Sequence, residues 1–395
     1  MIVKSATMPF PARLRTEFKL DPVLLTIVMT LLLGGFVILA SASITISDKI
    51  SGDPFFYVER QLLAAVIGAA AGLFCLFVPM RIWQSVSPLL LLVALALLCV
   101  VLIPGVGYEV NGSTRWVRFG VMNLQVSEPA RLCLLVYLAG YVVRQQKALR
   151  ERFVGFLRPM LVISLGCALL LAEPDFGAAI VLTATALAML FVAGARIRDF
   201  LLFFSATLVA IVVLAVTSPY RMKRLTGFLD PWADPFDSGF QLTQSLIAIG
   251  RGEWFGVGLG DGVQKLFYLP EAHTDFVFAV FAEEFGLLGS LLLIALFLAL
   301  LWRIFSIAKR AADAERFFEA YLAMGLGTWL GLQAFINVGV NMGLLPTKGL
   351  TLPLISYGRS SLIVTMAAIG LLLRIHHELV VDARPVNRKR RGRKK

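Results

Sequence analysis

Ten apolar windows, at about 22–46, 58–78, 84–104, 124–143, 159–173, 176–195, 199–217, 276–302, 318–344 and 352–374, leave this chain few ways to fold. A helix crosses a bilayer with roughly 20 apolar residues. With 58% of its 395 residues hydrophobic, the chain is expected to be an all-α polytopic integral membrane protein. About ten transmembrane helices are predicted, with a large extracytoplasmic loop between helices 7 and 8. The fifth window is short and parted from the sixth only by Glu173-Pro174-Asp175, which reads as a turn. The first window exceeds the ~7–15 residues of a signal-peptide core and is taken as an uncleaved span.

Orientation follows from the basic residues. Seven of the last eight residues, Arg388 to Lys395, are Lys or Arg, and the net charge is +12. The connections Arg144–Arg158 and Arg303–Arg316 are also basic, which places both with the two termini in the cytoplasm. The expected organisation is a cytoplasmic segment 1–21, helices 1–7 over 22–217, a periplasmic loop 218–274, helices 8–10 over 275–374 and a basic cytoplasmic tail 375–395. The tail suits anionic lipid, at about 1 kcal/mol per basic residue, rather than nucleic acid. Cys75, Cys99, Cys133 and Cys167 all lie in apolar runs without metal-ligand spacing, and the three histidines are scattered.

A loop as long as Ser218–Thr274 is not needed to join two helices, and long loops on rigid scaffolds are where chemistry tends to sit. It contains a basic cluster, Arg221, Lys223 and Arg224, suited to a phosphate or pyrophosphate headgroup or to ordinary anionic lipid. An amphipathic helix is expected over Gln241–Ile249, followed by Gly256, Gly258, Gly260 and Gly262 at alternate positions. Those glycines lack the Lys-Ser/Thr of a nucleotide loop and read as a pliable wall near Asp275. The loop delivers Asp275 to the mouth of the eighth window. There the helix dipole favours an anion, while burial against Phe276 and Phe278 opposes it. Such a carboxylate suits a general base for a hydroxyl; a plain N-cap is the alternative.

Charges within spans are costly, about 2.5–3.5 kcal/mol each at a helix centre. Glu128 and Arg131 share a face of the fourth helix at a spacing that allows them to neutralise each other. Glu283 and Glu284 need a partner, a polar cavity or protons. From Pro346 to Ser361 the entry of the last helix carries Lys348, Ser356, Tyr357 and Arg359, a pattern that breaks or hydrates its first turns.

Three strings make the chain recognisable: Leu269-Pro270-Glu271-Ala272-His273-Thr274-Asp275-Phe276, Pro346-Thr347-Lys348-Gly349-Leu350-Thr351-Leu352-Pro353 and Ile355-Ser356-Tyr357-Gly358. They closely resemble motifs of the SEDS family (shape, elongation, division, sporulation). The similarity runs over nearly the whole chain, including Arg115-Trp116, Gln125 to Arg131 and Pro174-Asp175-Phe176-Gly177. Ala272 and the Thr347–Pro353 string resemble the division branch rather than the elongation branch. Arg359 stands where the family usually has Gly, and Val126 where it has Pro.

The resemblance implies a peptidoglycan glycosyltransferase that polymerises lipid II on the outer face of the bacterial inner membrane, at the division septum. Implied partners are the nascent glycan, a class B penicillin-binding transpeptidase, FtsI, and the regulators FtsQ, FtsL and FtsB. The family's essential acid falls on Asp275 and its fourth-helix cation on Arg131. The expected substrate-binding set is Arg115, Glu128, Arg131, Arg221, Lys223, Arg224, Lys265, Lys348, Ser356, Tyr357 and Arg359. Basic residues or a divalent cation, Mg or Mn, would stabilise the leaving pyrophosphate. The rival readings are a lipid II flippase, which would place its critical charges near the midplane, and a scaffold that only recruits the transpeptidase.

Overall fold

The computed structural model describes residues 18–382, apart from 111–112, 120–121, 218–221, 223–225, 236, 238 and 347–348. Its helices are α1 (Pro22–Ser51), α2 (Phe56–Phe77), α3 (Met80–Val101), α4 (Ser127–Arg144), α5 (Gln146–Glu151), α6 (Phe153–Ala172), α7 (Phe176–Val192), α8 (Ile197–Val216), α9 (Phe240–Arg251), α10 (Val277–Asp313), α11 (Phe317–Asn341) and α12 (Arg359–Asp382). Every apolar window is occupied by one of them. Among the described residues, seven are long and apolar enough to cross a membrane: α1, α2, α3, α6, α10, α11 and α12. The protein is a multi-pass, all-α membrane protein. Helix α1 shows the local logic: Asp21 accepts hydrogen bonds from the amides of Val23 and Leu24, Pro22 occupies the first turn, and Gly52 ends the helix in the left-handed region.

Two segments depart from the expected pattern and one meets it. The polar connection before α4 folds into an antiparallel meander of β1 (Gly107–Val110), β2 (Ser113–Phe119) and β3 (Met122–Gln125). Trp116 of β2 pairs with Tyr108 and with Gln125 on either side, and the β-branched and aromatic residues of β2 suit such a surface. The amphipathic helix expected over Gln241–Ile249 is α9, slightly longer at both ends. The last helix starts at Arg359, not near 352, because 349–358 is irregular and held from outside. Ser356 Oγ accepts the Leu352 amide, Gln61 of α2 reaches the Ser356 carbonyl and the Gly358 amide, and the Tyr357 amide donates to the His273 carbonyl. Protein partners replace water there, which is the condition for irregular backbone in a bundle.

Helix α10 contains a break at Gly286, whose φ of 66° and ψ of −164° are non-helical. The loop after α9 fills the break. The Glu253 carbonyl accepts from the Leu287 amide, and the Trp254 carbonyl from the Leu288 amide. A Cβ on Gly286 would lie 2.4 Å from the Gly256 amide nitrogen, so glycine is required twice over, for φ and for space.

The core is built on close backbone approach. A Cβ on Gly370 of α12 would stand 2.1 Å from the Gly72 carbonyl oxygen of α2, so these helices touch backbone to backbone. Helix α11 threads the middle, with Trp329 fully buried. At the end of the bundle opposite the meander, Arg303–Asp21 at 2.7 Å and Arg316–Glu378 tie neighbouring helices together, while Arg374–Glu378 at 2.8 Å lies within α12 and Arg316–Glu319 within the first turn of α11.

Candidate active site

Four polar or amphipathic side chains of α11, Trp329, Gln333, Asn337 and Asn341, recur every fourth residue on one face. At 1.5 Å per residue they form a ladder about 18 Å long, and they organise the end of the bundle that bears the meander. All four are buried.

At the upper rungs the ladder fixes the chain at Asp275. Asn337 Nδ2 donates to the Asp275 carbonyl at 2.9 Å and to the Leu350 carbonyl at 2.6 Å. Asn341 Nδ2 donates to the same Asp275 carbonyl at 3.0 Å, while its Oδ1 accepts the Ala279 amide. The Asp275 side chain is half-buried, and its carboxylate lies against Gly349, where a Cβ would stand 3.0 Å from Oδ2. The N-cap of α10 is Phe276, so Asp275 sits one residue before the capping position. The plain N-cap alternative therefore does not describe it.

At the lower rungs the ladder meets α4. Arg131 is 2% exposed, 3.5 Å from Glu128 Oε1, and donates to Gln333 Oε1 at 3.2 Å. Its guanidinium stands 5.4 Å from the Trp329 ring. Gln333 Nε2 in turn donates to the carbonyl and hydroxyl of Thr351, and Thr351 Oγ1 bonds Ser361 Oγ at 3.2 Å. A buried cation is thus tied, through one glutamine, to the irregular segment that flanks Asp275.

A second polar cluster lies across Leu350. Asp175 caps α7 through the Ala178 amide and accepts from Ser127 at 3.0 Å and Gln125 at 3.3 Å; Arg115 of β2 is 3.8 Å away. Leu350 packs on Gly177 at the start of α7, so the two clusters share a wall. Beside them Glu173 is fully buried with neither carboxylate oxygen hydrogen-bonded. Burial pushes its pKa up to about 8, helped by the negative Asp175 and opposed by Arg115. The same burial favours the protonated acid over the carboxylate.

Tyr357 joins Tyr57 and His273 in an aromatic cluster, with ring centroids 4.5–5.7 Å apart. Burial lowers the pKa of His273 against the pull of Glu271, keeping the imidazole neutral, and burial raises that of Tyr357. Ser356 is buried, its hydroxyl spent on the Leu352 amide, and Arg359 stands half-buried at the first turn of α12.

Lys265 lies apart from these groups. The residue is 8% exposed, and its ammonium is 2.5 Å from Glu284 Oε1 and 2.7 Å from Ser41 Oγ of α1. Glu283 accepts the amides of Val263 and Gln264 and faces Arg251 at 3.7 Å. The two adjacent glutamates thus find their partners in the loop itself. The alternate glycines wrap them: Gly262 abuts both carboxylates, and Gly256 abuts the Glu284 carbonyl. They wall Glu283 and Glu284, not Asp275. Arg221, Lys223, Arg224 and Lys348 lie outside the described residues.

Among the described residues no group of three or more His, Cys, Asp or Glu side chains is placed to hold a metal ion. Asp175 is committed to four partners and Glu128 to Arg131. Sequence reasoning passes over Gln333, Asn337 and Asn341, although their spacing of four within an apolar window is a readable signal of a polar stripe facing a partner.

The family model of the cell cycle proteins FtsW, RodA and SpoVE matches residues 22–380. Among curated proteins, the chain is 57% identical over 368 residues to the probable peptidoglycan glycosyltransferase FtsW of Thioalkalivibrio sulfidiphilus, covering 93% of this chain and 92% of the relative. It is 55% identical to the like-named protein of Alkalilimnicola ehrlichii, over 90% and 89% of the two chains. Among solved structures, a chain of a peptidoglycan synthase complex that coordinates polymerization and crosslinking aligns with a TM-score of 0.74 at 32% identity, over 92% of this chain and 99% of that one. The rod shape determining protein RodA of Thermus thermophilus aligns with a TM-score of 0.67 at 30% identity, over 91% and 97%.

Proposed function

Because the chain belongs to the family of the cell cycle proteins FtsW, RodA and SpoVE, we propose that it is a peptidoglycan glycosyltransferase of the division branch, polymerising lipid II on the outer face of the inner membrane at the septum. The observation that carries this reading is the placement of Asp275. A half-buried carboxylate stands at the mouth of a long apolar helix, its own carbonyl clamped by two asparagines and its side chain facing a glycine. The fit is to surface chemistry on a headgroup rather than to transport through the midplane.

In the proposed reaction the acceptor sugar hydroxyl oxygen forms a bond to the anomeric carbon of the growing glycan. The bond from that carbon to the lipid pyrophosphate breaks, the electron pair leaves with the pyrophosphate, and the hydroxyl proton passes to Asp275. Attack opposite the leaving group inverts the anomeric centre. Arg115 and Arg359, both on the rim, are suited to meet the pyrophosphate, together with Arg221, Lys223, Arg224 and Lys348. Arg131 with Glu128 is too buried to touch a headgroup; its part is to hold Gln333 and the segment around Thr351 in place. Tyr357 offers an aromatic face to a sugar ring and Ser356 shapes the wall beside it, whereas Lys265, tied to Glu284 and Ser41, takes no part in this site.

The orientation that goes with this function has ten spans, both termini cytoplasmic and residues 218–274 outside. A crosslinking partner of the class B penicillin-binding type, with FtsQ, FtsL and FtsB, completes the proposal. The likeness to a chain of a complex that couples polymerization and crosslinking supports the first of these.

Asp275→Asn tests the reading. It preserves size and hydrogen bonding but cannot take a proton at neutral pH. With purified protein and labelled lipid II in detergent, glycan synthesis is expected to fall about 10²–10⁴-fold at unchanged expression and melting. Near-normal synthesis would remove Asp275 as the base. Detergent presents substrate without a leaflet to cross, so loss of polymer there also separates a polymerase from a flippase.

A further inference from the structure

Away from Asp275, a cavity of about 440 Å³ opens sideways between α1 and the loop that follows α9. Its walls are apolar: Val37, Ala40 and Ile44 of α1 on one side, Leu259 and Leu266 of the loop on the other. Val37, Ile44, Leu259 and Leu266 are each more than a third exposed, so the cavity is continuous with the lipid-facing surface of α1. Its floor is polar, but the cation there is already paired. Lys265 spends its charge on Glu284 and Ser41, and Ser41 also donates to Glu284. A neutralised floor offers nothing to a phosphate at that depth and is compatible with a hydrocarbon chain.

The cation comes higher up. Val37, Ser41 and Thr45 line the cavity at a spacing of four, and the next position on that stripe is Lys49, in the last turn of α1. Its exposed ammonium stands 4.4 Å from the Phe267 ring of the same loop. From Val37 to Lys49 the stripe rises about 18 Å, with the apolar part below and the charge at its top. In the orientation proposed above, that top is the outer headgroup layer.

We propose that this cleft is a binding site for a glycerophospholipid of the outer leaflet, one acyl chain lying between α1 and Leu259–Leu266 and the phosphate meeting Lys49. The inference rests on the orientation, not on the glycosyltransferase assignment. Because one wall belongs to the segment that leads through Leu269 and Ala272 to Asp275, an occupied cleft braces that segment against α1.

The test is photocrosslinking of the full-length protein in nanodiscs containing phosphatidylglycerol with a diazirine near the middle of one acyl chain. A polyprenyl phosphate bearing the same diazirine serves as the competitor. Labelling is expected on peptides covering 37–45 and 259–266. It should be lost in Ala40→Trp and, independently, in Val37→Trp, each of which fills the cleft from α1; thermal melting checks that both remain folded. Lys49→Gln should reduce labelling about two- to fivefold, the range of a solvent-exposed ion pair. Undiminished labelling in both folded tryptophan variants would overturn the site. Labelling of these peptides by the polyprenyl probe but not by the phospholipid would overturn the choice of ligand. Failure of Asp275→Asn to lose activity would leave this result untouched, so the two readings fail separately.

Discussion

Gly349→Ala is the smallest change that tests whether the position of the Asp275 carboxylate matters. The added methyl carbon would stand 3.0 Å from Asp275 Oδ2, against 3.4 Å for the near edge of ordinary contact, so one of them must yield by 3.4 − 3.0 = 0.4 Å. The Asp275 carbonyl is held by Asn337 and Asn341, and the Leu350 carbonyl by Asn337, so the backbones on both sides are pinned. The carboxylate swings instead. A misplacement of 1 Å costs about 10²-fold in rate. Scaled to 0.4 Å, that is a loss of about five- to tenfold, or ~1.1 kcal/mol in the barrier.

The assay is glycan polymerisation of labelled lipid II by the purified protein with its transpeptidase, giving kcat and KM separately. The loss is expected in kcat, since the proposed role of the displaced group is to take the proton in flight and not to bind the ground state. Thermal melting in a double-mutant cycle with Asp275→Ala isolates the contact from any backbone preference of the glycine. Gly349→Ala should cost stability while the Asp275 carboxylate is present, and cost less, or nothing, once Asp275→Ala has removed it. A kcat within about twofold of the parent, in a variant whose cycle shows the clash, would refute the claim that catalysis depends on where this carboxylate points.

Three further outcomes are expected. Glu173, with its pKa raised from 4.5 to about 8, binds a proton in the folded state that the unfolded chain releases. Stability should therefore fall as pH rises between those values, by at most ~1.4 kcal/mol per unit, and Glu173→Gln should abolish that slope in a melting series. Arg131→Met strands the Glu128 carboxylate in the core and should cost about 3–5 kcal/mol, much of it restored by adding Glu128→Gln, as a chemical or thermal denaturation cycle would show. In a cysteine-free background, Ala233→Cys should react with an impermeant thiol reagent in intact spheroplasts and Ala312→Cys only after permeabilisation; the reverse pattern would invert the orientation.

Much of this architecture is legible in the sequence because a bilayer imposes so simple a rule. Each of the ten windows defined by length and hydropathy holds a helix, and Asp21-Pro22 and Gly52 even mark the limits of the first. What the rule does not see is polar backbone satisfied inside the protein. The meander before α4 has no span-length signal and a short β-pattern. The break at Gly286 looks, in sequence, like any glycine in an apolar helix; its role shows only in the Glu253 and Trp254 carbonyls that bond across it. The expectation that the glycines at 256–262 wall Asp275 fails for the same reason, since sequence proximity says nothing about which carboxylate a loop folds over.

The site divides along a similar line. Asp275 stands out because it is a charge at the edge of an apolar run, and Glu128 with Arg131 because their spacing lets one offset the other. The residues that fix Asp275 in place are uncharged amides, and on a hydropathy scale Asn337 and Asn341 merely lower the average of a helix that still qualifies as a span. Their meaning lies in periodicity: a polar group every fourth residue, from Trp329 to Asn341, lines one face, and a buried face of amides must bond to something. Here it bonds to carbonyls of two segments far apart in sequence, at Asp275 and Leu350. That arrangement pins the backbone at Asp275 from the helix behind it, independently of the loop that delivers it. The loop is then free to be braced from its other side, by α1 and by the lipid proposed for the cleft beside it, while the Asp275 backbone stays held.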